Sequence, residues 1–154
     1  IKKMKDKLKI LFLCTGNSCR SQMAEGWARV LKNDTIEAYS AGVEIHGLNP
    51  DAVTVMAEAG IDISGHRSKH IDEFKGMELD AVVTVCGHAH ETCPYFPPRC
   101  KGIHVGFDDP PELVQELAMQ GANKEEQLDC YRRVRDEIKC FVEGLPDNLE
   151  KKEK

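Results

Sequence analysis

Apolar residues fall in two kinds of run along this chain. Short, near-continuous runs occur at residues 9–14 (KILFLC) and 79–86 (LDAVVTVC). Runs of that length without alternation predict strands buried on both faces. TIEAYS at 35–40 alternates and stops at Ala41-Gly42, which predicts another strand. GIHVG at 102–106 is a weaker fourth. Elsewhere apolar residues return every three or four positions, the helical period. Residues 18–31 carry Met23, Ala24, Trp27, Ala28 and Leu31 on one stripe. Asn49-Pro50 supplies an N-cap and a first-turn proline for a helix over 51–59, closed by Gly60. Two more helical stretches cover 111–120 and 124–143, the second repeating Leu128, Tyr131, Val134, Ile138 and Phe141.

Strands alternating with helices predict an α/β fold: a four-stranded parallel sheet with helices on both faces. In such sheets ligands bind beyond the carboxyl ends of the strands, at the switch point. Cys14 ends one predicted strand and Cys86 another. At 154 residues a single domain is expected over 8–145, with residues 1–7 and 146–154 as flexible termini.

Composition narrows the function classes. The longest aliphatic run, ILFL at 10–13, is too short for a membrane span or a signal-peptide core. A cytoplasmic monomer with no membrane partner is expected. The net charge is −5 and no basic block is long enough for a nucleic-acid surface. An anionic substrate would have to be held by local donors. Seven irregularly spaced cysteines, without a secretory signal, predict free, catalytic or metal-bound thiols rather than structural bridges.

Two segments pair a cysteine with an arginine six positions on: Cys14-TGNSC-Arg20 and Cys93-PYFPP-Arg99. Their contexts differ. The first lies between a strand and a helix, where successive N–H groups and the helix N-terminus form an anion cradle. Gly16 permits close backbone approach and Asn17 tolerates a left-handed conformation. Arg20 offers a planar fork to a tetrahedral oxyanion. Cys14, among these donors, is expected to be a thiolate near neutrality, with Ser21 able to donate to its sulfur. Thr15, Gly16, Asn17, Ser18, Cys19, Arg20 and Ser21 are thus the expected substrate-binding residues, Cys19 being turned into the helix start in a packing role. In the second segment Pro94, Pro97 and Pro98 have no N–H to donate.

A thiolate in such a cradle fits displacement at a tetrahedral centre. The leaving oxygen then needs a proton, and Asp108 or Asp109 in GFDDP could supply it. Asp109-Pro110 fits a plain turn equally well. The thiols Cys86 and Cys93 have no use in a phosphatase. They do have one in a reductase, where a thiol attacks an oxidised sulfur-bound centre and a further thiol opens the disulfide. Cys86, His88, His90 and Cys93 also offer thiols and imidazoles for zinc, at spacings unlike the usual structural patterns. No metal and no cofactor are expected. Cys100, Cys130 and Cys140 read as inert buried residues.

The motifs CTGNSCRSQMAEGW, YSAG, HGLNP, IDIS, LDAVVTVC, CP-x2-PP, GFDDP and RVRDEIK resemble those of the thioredoxin-coupled arsenate reductases. These share the fold of the low-molecular-weight protein tyrosine phosphatases, and the resemblance spans residues 9–141. It implies that Cys14 attacks arsenate, that the loop and Arg20 hold the oxyanion, and that Asp109 rather than Asp108 is the general acid. It further implies that Cys86 attacks the Cys14–arsenic adduct, releasing arsenite and leaving Cys14–Cys86. Cys93 then attacks Cys86, and the Cys86–Cys93 disulfide goes to thioredoxin. The alternative within the resemblance is a phosphatase. Phosphatases typically carry tyrosines after Asp-Pro, whereas Asp109-Pro110 is followed by Pro111 and Glu112. Some members bind potassium near positions matching Asn17, Glu25 and Ser40. Their further acidic ligand falls on Lys69, so an ammonium is expected in the cation's place.

Overall fold

The computed structural model describes residues 7–85 and 101–151. Strands β1 (Leu8–Cys14), β2 (Ile36–Gly42), β3 (Ala81–Thr84) and β4 (Lys101–His104) form one sheet in the order β2-β1-β3-β4. Every neighbouring pair is parallel. The helices are α1 (Arg20–Leu31), α2 (Pro50–Glu58), α3 (Pro110–Met119), α4 (Lys124–Glu143) and the short α5 (Asp147–Lys151). The expected four-stranded parallel α/β fold is the one the chain adopts. Two boundary differences bear on the site. The strand expected over 79–86 is ordered into the sheet only at Ala81–Thr84. Helix α1 starts at Arg20, not 18, because the carbonyls of Cys14, Thr15, Gly16 and Ser18 accept from the chain at 43–49 instead of from a helix.

Both faces of the sheet are covered. Ile10, Leu11, Phe12 and Leu13 are each at most 1% exposed. Alternate strand residues point to opposite faces. Ile10 shares a cavity with Pro146 and Leu149 at the end of the helical layer. Leu11 shares another with Val82, Leu79, and Ile71 and Phe74 of a one-turn 3₁₀ helix (Ile71–Phe74). Burying each such side chain contributes about 1.5–3 kcal/mol.

The helical layer is tied together by polar contacts as well as apolar ones. Trp27 Nε1 on α1 donates to the Arg135 carbonyl of α4 at 3.1 Å. Arg135 Nη1 in turn donates to the Val55 carbonyl of α2 at 2.9 Å. Asn49 caps α2 as expected, its Oδ1 accepting from Asp51 and Ala52. On α4, Leu128, Tyr131, Val134 and Ile138 are buried, but the stripe ends on Val142. Phe141 is half-buried and meets Phe107 edge-on. The buried reading of the late cysteines is corrected too. Cys130 is half-buried and Cys140 exposed, because both lie beside the stripe; Cys100 lies outside the described residues.

From β1 the chain crosses to β2 on one side, then returns to β3 on the other. The switch point therefore lies between the carboxyl ends of β1 and β3. There Leu13 pairs with Thr84, and the Val85 N–H donates to the Leu13 carbonyl at 2.9 Å. Cys14 follows Leu13 in the chain, and Cys86 follows Val85. Cys86 and Cys93 themselves, with His88, His90 and the 93–99 segment, lie outside the described residues.

Candidate active site

The loop after β1 is held by its carbonyl edge. The N–H groups of Val43, Glu44, His46 and Asn49 donate to the carbonyls of Cys14, Thr15, Gly16 and Ser18 at 2.8–3.2 Å. Ser68 Oγ adds a second bond to Gly16 O at 2.8 Å. A peptide's N–H and C=O point opposite ways, so this clamp turns the loop's N–H edge away from residues 43–49. The clamp needs two glycines. A Cβ on Gly16 would stand 2.2 Å from His46 Nδ1. A Cβ on Gly42 would stand 2.6 Å from Glu44 O and 2.7 Å from Asn17 N.

Asn17 is the one non-glycine with positive φ among the described residues, at 50°. Its side chain justifies the strain. Asn17 Nδ2 donates to Ser21 Oγ at 2.8 Å. Asn17 Oδ1 accepts from the Lys69 N–H at 2.7 Å and from Gln22 Nε2 at 3.0 Å. Gln22, fully buried, also reaches the carbonyls of Asn17 and Arg67. Ser21 Oγ accepts from Asn17, so its own proton remains to be donated elsewhere.

The cleft above the loop holds about 560 Å³ and is lined by Cys14, Thr15, Gly16, Ser18, Cys19, Arg20, His46, Asn49, Asp109, Pro111 and Glu112. The sequence-expected loop residues and Asp109 are therefore brought together; Asn17 and Ser21 lie behind them. Arg20 is fixed from across the cleft. Its Nη1 donates to Phe107 O at 2.9 Å and its Nη2 lies 3.3 Å from Asp109 Oδ1. The two candidate acids separate cleanly. Asp109 begins α3 but makes no capping bond; its carboxylate turns to Arg20 instead. Asp108 points outward to Arg133 at 2.9 Å.

Cys14 is buried at the loop's root and lines the cleft. Cys19 is also buried, and that burial pushes its thiol well above the ordinary range. A thiol held neutral is a poor nucleophile, in keeping with a packing role. The sequence does not mark His46, Asn49, Glu112 or Gln22 as site residues; Asn49 reads there as a helix cap. His46 and Asn49 both belong to HGLNP. His46 Nε2 lies 2.6 Å from Glu44 Oε1, and Asn49 Nδ2 donates to Tyr131 OH at 3.2 Å.

Behind the loop, Glu25 is 4% exposed. Ser40 Oγ donates to its Oε1 at 2.6 Å and Arg29 Nε to its Oε2 at 2.7 Å. The potassium site implied by resemblance does not fit here. Lys69 Nζ stands 3.8 Å from Glu25 Oε1 and 3.4 Å from Ser40 Oγ, where a cation would lie. Burial lowers the Lys69 pKa, and Glu25 opposes that shift. Among the described residues no cluster of His, Cys, Asp and Glu could hold a metal, and no helix is long and apolar enough to cross a membrane.

A strand-loop-helix cradle with a cysteine at its root and an arginine at its far end defines a phosphatase-type loop. Residues 9–154 match the sequence profile of the low molecular weight phosphotyrosine protein phosphatases, and the chain belongs to that family. Within it, the likeness is to arsenate reductases. The arsenate reductase of Bacillus subtilis is 52% identical over 135 residues, 88% of this chain and 91% of that protein. A solved arsenate reductase in a phosphate-binding state is 32% identical, with a TM-score of 0.66, over 94% of this chain and 98% of that one. Another, in an oxidised state, is 33% identical, with a TM-score of 0.70, over 92% and 98%.

Proposed function

We propose that this protein reduces arsenate to arsenite for arsenic detoxification, by a three-cysteine relay regenerated by thioredoxin in the cytoplasm. Arsenate sits in the cradle, held by the loop N–H groups and Arg20. The Cys14 thiolate attacks arsenic, and an oxygen leaves as water with a proton from Asp109. The product is a Cys14–arsenic(V) thioester. The Cys86 thiolate then attacks Cys14 Sγ. The Cys14–arsenic bond breaks, its electron pair stays on arsenic, and arsenite departs. Two thiols have become one disulfide as arsenic(V) becomes arsenic(III). Cys93 attacks Cys86 and frees Cys14; thioredoxin's dithiol returns two electrons and two protons to Cys86–Cys93.

The observation that carries this reading is the bond from Val85 N–H to Leu13 C=O at 2.9 Å. It holds the residue before Cys86 beside the residue before Cys14, at the sheet's switch point. The names of the similar proteins support the substrate. A phosphatase is the alternative, since the same cradle accepts phosphate esters. Cys86→Ser separates the two. It is expected to abolish arsenate turnover while p-nitrophenyl phosphate hydrolysis continues. Loss of both activities would make Cys86 a structural residue and remove the relay.

A further inference from the structure

Glu25 is a buried carboxylate that needs compensation, because an unpaired charge in such a place is strongly destabilising. Its Arg29 partner is 55% exposed in its side chain and so heavily screened. Lys69 is the buried partner, its side chain only 15% exposed. Its ammonium faces three oxygens: Arg67 O at 2.9 Å, Ser40 Oγ at 3.4 Å and Glu25 Oε1 at 3.8 Å. The same residue's backbone reaches the active loop. Lys69 N–H donates to Asn17 Oδ1, and Lys69 O accepts from Gly42 N–H at 2.8 Å. Asn17 then holds Ser21, seven positions from Cys14.

We propose that Lys69 is a built-in monovalent cation and a positioning residue: its ammonium, seated on Glu25, Ser40 and the Arg67 carbonyl, fixes Asn17 and Ser21 and thereby the reactive state of Cys14. The inference rests on Cys14 being the nucleophile. Its physical basis is that one residue joins charge to geometry. With the ammonium anchored, segment 66–70 stays against the loop, and Asn17 keeps the N–H that holds its left-handed conformation. Without the side chain, a carboxylate, a hydroxyl and a carbonyl would face a space where the ammonium was. That is an oxygen set for a hard cation.

The test reads Cys14 directly, without arsenate. Iodoacetamide alkylation of Cys14 is followed by peptide mass spectrometry in NaCl and in KCl at equal ionic strength. Wild-type protein is expected to react equally fast in both. Lys69→Ala is expected to slow by about tenfold or more in NaCl, as a displaced reactive group does, and to recover in KCl or ammonium chloride. Lys69→Met, which fills the space with a neutral chain, is expected to be slow in all three. Thermal melts give a second reading: KCl should raise the melting temperature of Lys69→Ala and leave the wild type unmoved. Lys69→Ala reacting as fast as wild type in NaCl, or staying slow and unstabilised in KCl, would overturn the proposal. So would wild-type protein that speeds up in KCl. A wild-type Cys14 no more reactive than exposed Cys140 would overturn the nucleophile reading itself.

Discussion

The Val85 N–H donates to the Leu13 carbonyl at 2.9 Å, and each of these two residues is followed in sequence by a cysteine. A parallel ladder fixes register along its length, and β1 and β3 run in step from Ile10–Ala81 to Leu13–Thr84. The relay needs Cys14 and Cys86 to meet before Cys93 takes over. Cys93→Ser should therefore stop after a single turnover with arsenate, leaving a Cys14–Cys86 disulfide. Recovery of that variant with both thiols free, after arsenite has been released, would break the proposed order.

Asp108 and Asp109 are neighbours with opposite surroundings. Asp109 faces Arg20 across the cleft, and Asp108 pairs with Arg133 at the surface. Positioned proton donors contribute about 10²–10⁴-fold. Asp109→Asn should lower the single-turnover rate with arsenate by that order, while Asp108→Asn stays within about twofold. Equal losses in the two variants would count against a proton-donor role for Asp109.

Asn17 supports the loop in two separable ways. Its backbone occupies a conformation that costs an ordinary L-residue about 1–2 kcal/mol. Its side chain joins Ser21, Gln22 and Lys69. Asn17→Ala loses both contributions and should destabilise the fold by about 3 kcal/mol in urea melts. Asn17→Gly loses only the side chain and should be about 1 kcal/mol more stable than the alanine variant. Identical melts for the two would mean that the backbone carries no strain here.

His66 gives a pH dependence of known sign. Burial lowers its pKa below 6.5, with Arg29 and Lys69 acting the same way and Glu25 and Asp62 opposing them. Its Nδ1 lies 2.9 Å from Gln22 Oε1, which can only accept, so Nδ1 carries the proton of the neutral ring. The folded state therefore binds a proton less readily than the unfolded chain. Its contribution is whole above the unfolded value of 6.5 and is lost as pH falls below it through the lower folded-state pKa. In urea melts between neutrality and mildly acid pH, His66→Gln should show a shallower loss of stability than wild type. Parallel curves would contradict the assignment.

Much of this was legible before the structure. Periodicity alone separates strands from helices, because the sheet is buried on both faces and α4 keeps its stripe from Leu128 to Val142. The cradle was legible because residue type matters at each of its positions: Gly16 for closeness, Asn17 for positive φ, Arg20 for its fork. What was not legible depends on distant partners. Gln22 reads as an ordinary polar helix position until the segment 45 residues away closes over it and Arg67 O accepts its bond. Gly42 looks like a strand terminator, yet its missing Cβ is what lets residues 43–46 clamp the loop. Cys130 and Cys140 read as buried from the sequence but are half-buried and exposed, because burial of a small residue on a helix depends on a single step of helical phase.

Mapping disulfides in wild-type protein after one arsenate turnover without reductant decides whether the three-cysteine relay operates. Free thiols are alkylated, the protein is digested, and the peptides are read by mass spectrometry. A Cys86–Cys93 disulfide with Cys14 alkylated is the predicted result. Arsenate turned over with no disulfide formed, or a disulfide that excludes Cys86, would contradict the relay.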